Sequence, residues 1–263
     1  MAEYALITGA SSGIGMEFAR IAASKKMNLI LLARNSEKMI QLRTELEELH
    51  AIKVLAVGCD LTEPDAVEKI TALLHKRNIV PDVLINNAGF GIYGPFEHLG
   101  ASNEMKMIQL NVTSLTELTK IIYRQMLKKG KGKILNVSSI AGFIPGPWMA
   151  AYHATKAYVL SFSQALAYEA KGKGITVTAL CPGPTNTNFE NRASTGKGIK
   201  AFKKAGKLPS AAEVARYGWK SMTKGKTVAI HAGCKFRFLL FMSRFLSRQT
   251  VVGIAGKMQK PGR

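Results

Sequence analysis

The chain has 263 residues, of which 47% are apolar, 21% charged and 8% aromatic, enough to bury one large α/β core or two small ones. No stretch of about 20 residues is free of charge, which excludes a membrane-spanning helix, and Glu3 and Tyr4 lead into an apolar strand rather than a secretory signal. Lys and Arg number 37 against 17 Asp and Glu, and residues 188–263 hold 17 of the basic groups but only 2 of the acidic ones, so an anionic partner is expected on the C-terminal third. Cys59, Cys181 and Cys234 form neither a zinc-like pair nor a disulfide framework, which points to a reducing cytoplasmic setting.

In chain order, apolar runs that read as buried strands are Ala5–Thr8, Leu29–Ala33, Val54–Val57, Val83–Asn86, Lys133–Val137, Val177–Cys181 and Thr227–Ile230. Helical patterns cover Glu37–His50, Glu63–Arg77, Asn103–Lys129 and Tyr152–Lys171. Strands without polar alternation, joined by helices, predict a doubly wound α/β fold around a parallel sheet. No repeat or linker divides residues 1–232, which read as one domain. Within it, 188–208 is rich in Lys, Gly, Ser and Thr and reads as a substrate lid. Residues 233–263 read as a basic extension.

The first strand runs into Thr8-Gly9-Ala10-Ser11-Ser12-Gly13-Ile14-Gly15 and then a helix. Glycines let the backbone turn tightly beside a ligand, and the helix start offers amides and a positive dipole end to a pyrophosphate. In a strand–helix–strand setting this predicts dinucleotide binding through Gly9, Ser11, Ser12, Gly13, Ile14 and Gly15. The second strand ends Leu32-Ala33-Arg34, without the carboxylate that would hold a ribose 2′-hydroxyl. Arg34 offers a guanidinium suited to a 2′-phosphate, so NADP(H) is the expected cofactor.

Tyr152 and Lys156 lie at i and i+4, placing a phenol beside an ammonium on one helical face. A phenolate near neutrality would need roughly 4 kcal/mol of stabilisation. The lysine cation and an oxidised nicotinamide in a low-dielectric cleft are the expected sources. Thirteen residues before the tyrosine, a strand ends in Ser138-Ser139, followed by a loop with Gly142, Pro145, Gly146 and Pro147. Adjacent strand residues face opposite ways, so one of the two serines reaches the tyrosine, and spacing favours Ser139. His153 faces elsewhere on the helix and reads as structural. His98 and His231 have no companions at ligand spacing, and no metal is expected.

With Asn86-Asn87-Ala88-Gly89 after the fourth strand and Pro182-Gly183 followed by Thr187 after the sixth, the set resembles the short-chain dehydrogenase/reductase family over about residues 3–232. The resemblance implies a seven-stranded Rossmann sheet with Ser139, Tyr152 and Lys156 as the catalytic triad. It implies Asn111 as a fourth member anchoring a relay water. Asp60 and Leu61 would meet the adenine, and Asn87, Ala88 and Gly89 would flank the cofactor. Pro182, Gly183, Thr185 and Thr187 would border the nicotinamide, and a homodimer or homotetramer is implied.

Phe90, Ile92, Tyr93, Phe96, Phe143, Ile144, Pro147, Trp148, Met149 and Phe189 are expected to give an apolar cleft for a lipophilic ketone, aldehyde or oxoacyl substrate. Lys235–Gln249 reads as one amphipathic helix, with Arg237, Arg244 and Arg248 aligned against Phe238, Leu239, Met242, Phe245 and Leu246. It packs on its own domain, on a partner subunit or on an anionic membrane; the basic surface also suits an acidic acyl carrier. No nucleic-acid module is present. Two functions compete: an NADPH-dependent carbonyl reductase, and a non-catalytic NADP(H)-responsive module docking on membranes through its tail.

Overall fold

The computed structural model describes residues 3–187, 189, 193 and 208–260. Seven parallel strands form one sheet: β1 Tyr4–Thr8, β2 Asn28–Ala33, β3 Val54–Gly58, β4 Val83–Asn86, β5 Gly132–Val137, β6 Ile175–Pro182 and β7 Val228–His231. Their order is β3-β2-β1-β4-β5-β6-β7, so the order in which successive strands are added reverses between β1 and β4. In such sheets the crevice at that switch point, beyond the strand carboxyl ends, is where ligands bind.

Strand residues alternate between two cores. Leu29 and Leu31 of β2 pack with Phe18, Ala19 and Ala22 of α1 (Gly13–Ser24) and with Val214 and Met222 of α7 (Ala211–Thr223). Ile30 and Leu32 pack on the other face with Ile70 and Leu74 of α3 (Ala66–Lys76) and Leu118 and Ile122 of α5 (Leu115–Lys129). Both faces are dry, which is why the strands show continuous apolar runs. Helix α2 (Ser36–His50) starts at Asn35, whose Oδ1 accepts the Lys38 amide at 2.9 Å. A capping box between Ser210 and Glu213 opens α7.

A buried polar ladder ties the sheet to the helix that carries the site, α6 (Ala150–Glu169). Asn86 Nδ2 donates to Thr119 Oγ1 (2.8 Å) and to Asn136 Oδ1 (2.9 Å), and Asn136 Nδ2 donates to Ser163 Oγ on α6 (3.0 Å). Asn86 and Asn136 are opposite one another in register, so β4, β5, α5 and α6 share one network.

Three expectations are corrected. The helix expected over 103–129 is interrupted: α4 (Ala101–Ile108) passes through a π-helical turn at Gln109–Ser114 before α5. The helix expected from Glu63 begins at Ala66, because Asp60 Oδ1 takes the Thr62 amide and hydroxyl and holds a turn there. The expected tail helix is two: α8 (Cys234–Met242) and α9 (Arg248–Gln259). The Ser243 hydroxyl bonds back to the Leu240 carbonyl (2.8 Å), and Ser247 caps α9 by accepting the Thr250 amide (3.2 Å). Arg237, Arg244 and Arg248 therefore share no single helical face. The lid expected over 188–208 lies outside the described residues, except for Phe189, Ala193 and Leu208.

Replacing Asn136 by Ala removes two bonds at a fully buried position. Urea unfolding is expected to show a loss of about 2 kcal/mol; an unchanged midpoint would contradict the ladder.

Candidate active site

The carboxyl ends of the strands open into a cavity of about 530 Å³. At one end, the chain turns out of β1 through Gly9 (φ 67°) and Gly13 (φ 57°), left-handed conformations that favour glycine. A Cβ on Gly9 would lie 2.8 Å from Asn87 Nδ2, and one on Gly15 would lie 2.3 Å from the Gly9 carbonyl oxygen. The turn is clamped from β4. Thr8 Oγ1 accepts the amides of Asn87 (2.9 Å) and Ala88 (2.8 Å), while Asn87 Nδ2 donates to the carbonyls of Thr8 (2.9 Å) and Gly9 (3.2 Å).

Gly9, Ser11, Ser12, Gly13 and Ile14 line the cavity, as do Asn87, Ala88 and Gly89. The Ser12 hydroxyl does not cap α1, leaving the first-turn amides and the positive helix end to an anion. This cradle of backbone amides, whose close turn side chains at Gly9 or Gly15 would push apart, fits a dinucleotide pyrophosphate. Gly15 does not line the cavity; it lets α1 pack against the turn.

Arg34 and Asp60 face each other across the next part of the cavity, Nη1 to Oδ2 at 3.9 Å, with the Arg34 side chain 69% exposed. Asp60 is the sole carboxylate lining the cavity among the described residues; it follows β3, not β2. Asn35 and Leu61 border the same end. Pro182, Gly183, Thr185 and Thr187 line another part of the wall, Thr187 Cγ2 lying 3.5 Å from where a Cβ on Gly13 would sit. Thr185 Oγ1 donates to the Gly183 carbonyl (2.9 Å), and the Gly183 amide donates to the His231 carbonyl (2.8 Å), fixing this loop to β7.

Tyr152 and Lys156, both buried on α6, line the same cavity. Lys156 Nζ donates to the Val137 carbonyl at the end of β5 (2.9 Å) and sits 5.8 Å from the centre of the Tyr152 ring. The Ser139 side chain is near enough to Tyr152 to lower its pKa, while its Oγ accepts the Ala141 amide (3.1 Å) and lies 3.5 Å from the Pro182 carbonyl oxygen. Ser138 points away and donates to the Lys156 carbonyl (2.7 Å). The structure thus separates the two serines as their alternation predicts.

Burial raises the Tyr152 phenol to about 12, the Ser139 side chain offsetting part of the effect. Burial also depresses Lys156, to about 8, with only a small opposing influence from Cys181. Desolvation disfavours the ionised forms of both groups, and the phenolate stabilisation expected from an oxidised nicotinamide beside the ring belongs to the cofactor complex. At neutral pH Tyr152 is a phenol able to give a proton, and Lys156 is an ammonium.

Asn111 is buried behind this pair, outside the cavity wall. Its Nδ2 donates to the Phe90 carbonyl (2.9 Å) and to Thr155 Oγ1 (3.1 Å), and its Oδ1 accepts the Phe90 amide (3.2 Å). It lies in the π-helical turn, a feature frequent at functional sites. His153 has Nδ1 on the Ile144 carbonyl at 2.8 Å, and burial lowers its pKa.

Of the expected apolar wall, Phe90, Ile144, Met149 and Phe189 line the cavity. Phe96 is exposed, and Phe143 packs with Leu160, Ala179 and Cys181. The residues that the sequence pattern did not identify come from the tail: Phe236, Leu239, Leu240, Ala255, Met258 and Gln259 complete the wall. Gln259 latches the tail down, its carbonyl accepting Tyr93 Oη (2.6 Å) and its side-chain nitrogen lying 3.1 Å from His153 Nε2. Phe236, Leu239 and Leu240 do share one helical face, but the paired spacing of Phe238 and Phe245 with the arginines masks it.

The short chain dehydrogenase family model matches residues 3–198. The chain is 34% identical over 186 residues to the very-long-chain 3-oxoacyl-CoA reductase of Bos taurus, covering 69% of this chain and 59% of that protein. It is 34% identical over 197 residues to the 17-beta-hydroxysteroid dehydrogenase type 3 of Homo sapiens, covering 74% and 63%. The chain thus spans about three fifths of the length of these relatives. Among solved structures, a short-chain dehydrogenase from Sphingobium yanoikuyae in complex with NADPH superposes with a TM-score of 0.81 at 30% identity, over 92% of this chain and 94% of that one. Sequence match, sheet order and site geometry agree: the chain belongs to the short chain dehydrogenase family.

Proposed function

We propose that this protein is an NADPH-dependent reductase of lipophilic carbonyl compounds, with long-chain oxoacyl thioesters as the leading substrate class. The observation that carries this reading is the meeting of Ser139 with the buried Tyr152 and Lys156 in one cleft, beside a cradle fitted to a dinucleotide. A non-catalytic binding module would need the glycine turn but not a buried phenol–ammonium pair.

The family uses a nicotinamide cofactor. The preference for NADPH is supported by Arg34 after β2, a strand that ends without a carboxylate of its own, and by the NADPH complex of the Sphingobium relative. The oxoacyl assignment is supported by the bovine relative and by the apolar wall of Phe90, Met149, Phe189 and the tail residues. When bound, the reduced nicotinamide supplies the hydride and is itself oxidised.

The chain's own residues handle the oxygen. Ser139 holds the carbonyl oxygen beside Tyr152. As the carbonyl π pair moves onto oxygen, Tyr152 transfers its phenolic proton there, completing the alcohol. The Lys156 ammonium stabilises the phenolate left on Tyr152, which then recovers a proton from solvent. Asn111 acts as a positioning residue, fixing Phe90 on one side and Thr155 of α6 on the other. A water held there for reprotonation belongs to the same proposal.

Tyr152→Phe is expected to lower kcat by roughly 10²–10⁴-fold while leaving NADPH affinity, followed by fluorescence titration, within a few-fold. Turnover equal to wild type would contradict the assignment. Arg34→Ala is expected to weaken NADPH binding about tenfold or more with little effect on NADH; equal effects on both would remove the 2′-phosphate role.

A further inference from the structure

We infer that the outer face of α8 seats the protein on an anionic phospholipid surface, an interaction that does not depend on the reaction proposed above. Helix α8 is apolar on two sides. Phe236, Leu239 and Leu240 lie on the inner side and form part of the cavity wall. On the other side Phe238, Phe241 and Phe245 are 65%, 54% and 71% exposed. Spaced three and four residues apart, they form one ridge continuing past the helix end, and the rings of Phe241 and Phe245 are 5.3 Å apart. One exposed phenylalanine needs no explanation, but three adjoining ones mark a surface built for an apolar environment.

Charge identifies that environment. Lys235, Arg237, Arg244 and Arg248 are exposed around the ridge, and no Asp or Glu occurs between Gly233 and Lys260. A second copy of the chain docked ridge to ridge would bring these cations together across an apolar contact. A bilayer containing anionic lipid offers a hydrocarbon boundary to the rings and a negative plane to the cations at once. Among the described residues no helix is long and apolar enough to cross a membrane, so the contact lies in the interfacial plane. Because α8 also walls the cavity, a lipophilic substrate would reach the site within about one helix diameter, roughly 10 Å, of the lipid.

The test sediments the full chain, without substrate or cofactor, with vesicles of phosphatidylcholine alone or mixed with phosphatidylglycerol. Binding to the mixed vesicles is expected to be at least about tenfold tighter. The triple variant Phe238→Ser, Phe241→Ser, Phe245→Ser leaves the net charge unchanged. It is expected to lose about tenfold or more of that binding while keeping its melting temperature and its NADPH affinity. In Phe241→Trp, emission should shift to the blue and be quenched by lipids brominated on their acyl chains.

Failure to pellet at low salt, triple-variant binding equal to wild type, or absence of acyl-chain quenching would each overturn the inference. So would a triple variant whose mass in light scattering falls while its vesicle binding is unchanged, since the ridge would then join two copies. None of these readouts requires turnover, so failure here leaves the proposed reaction standing, and failure of the reaction leaves this surface standing.

Discussion

The site depends on keeping a phenol and an ammonium out of water in the same cleft. Desolvation works against the ionised forms of both Tyr152 and Lys156, so the fold must hold them by other bonds. Lys156 Nζ is held by the Val137 carbonyl, and its own carbonyl is held by Ser138. Two glycines let the loop between β5 and α6 lie directly on the helix. A Cβ on Gly142 would fall 2.6 Å from the Lys156 carbonyl oxygen, and one on Gly146 would fall 2.1 Å from the His153 ring. Close backbone packing of this kind excludes water without introducing a side chain that would compete for the cavity.

Much of this was legible in the sequence, for identifiable reasons. Parallel strands buried on both faces cannot alternate with polar residues, so runs such as Leu29–Ala33 locate β2 (Asn28–Ala33) to within a residue. The glycine turn and the Tyr152/Lys156 spacing were legible because each chemistry is local, held within one turn or one helical repeat. The choice of Ser139 over Ser138 came from its spacing to Tyr152, alternation showing only that the two serines face opposite ways, and Ser138 does turn to the Lys156 carbonyl.

What was not legible depends on distant parts of the chain. Nothing in Gln109–Ser114 announces a π-helical turn; it accompanies Asn111 reaching both Phe90 and Thr155, contacts that span 21 and 44 residues. The spacing of Tyr152 and Lys156 shows an amine one turn away from a phenol but not the depth of burial that raises one pKa and lowers the other. The tail was misread for a related reason. A helix with apolar residues on two faces has no single hydrophobic stripe, and the break between α8 and α9 rests on bonds of Ser243 and Ser247 that the periodicity does not show. That Gln259 reaches Tyr93, 166 residues earlier, to close the cavity is a tertiary fact.

The central claim is that the cleft is dry enough to govern both titrations, and the most direct measurement is NMR of the full-length protein labelled at lysine Cε and tyrosine Cζ. Lys156→Met and Tyr152→Phe identify the two resonances. The account predicts Lys156 titrating near about 8 and Tyr152 toward about 12. Lys156 would then be an ammonium below that value and neutral above it, so reductive turnover should decline as the pH rises past 8. If both groups instead titrate at the ordinary values of exposed lysine and tyrosine, about 10.4 and 10, the cleft is wet and this account of its chemistry is wrong.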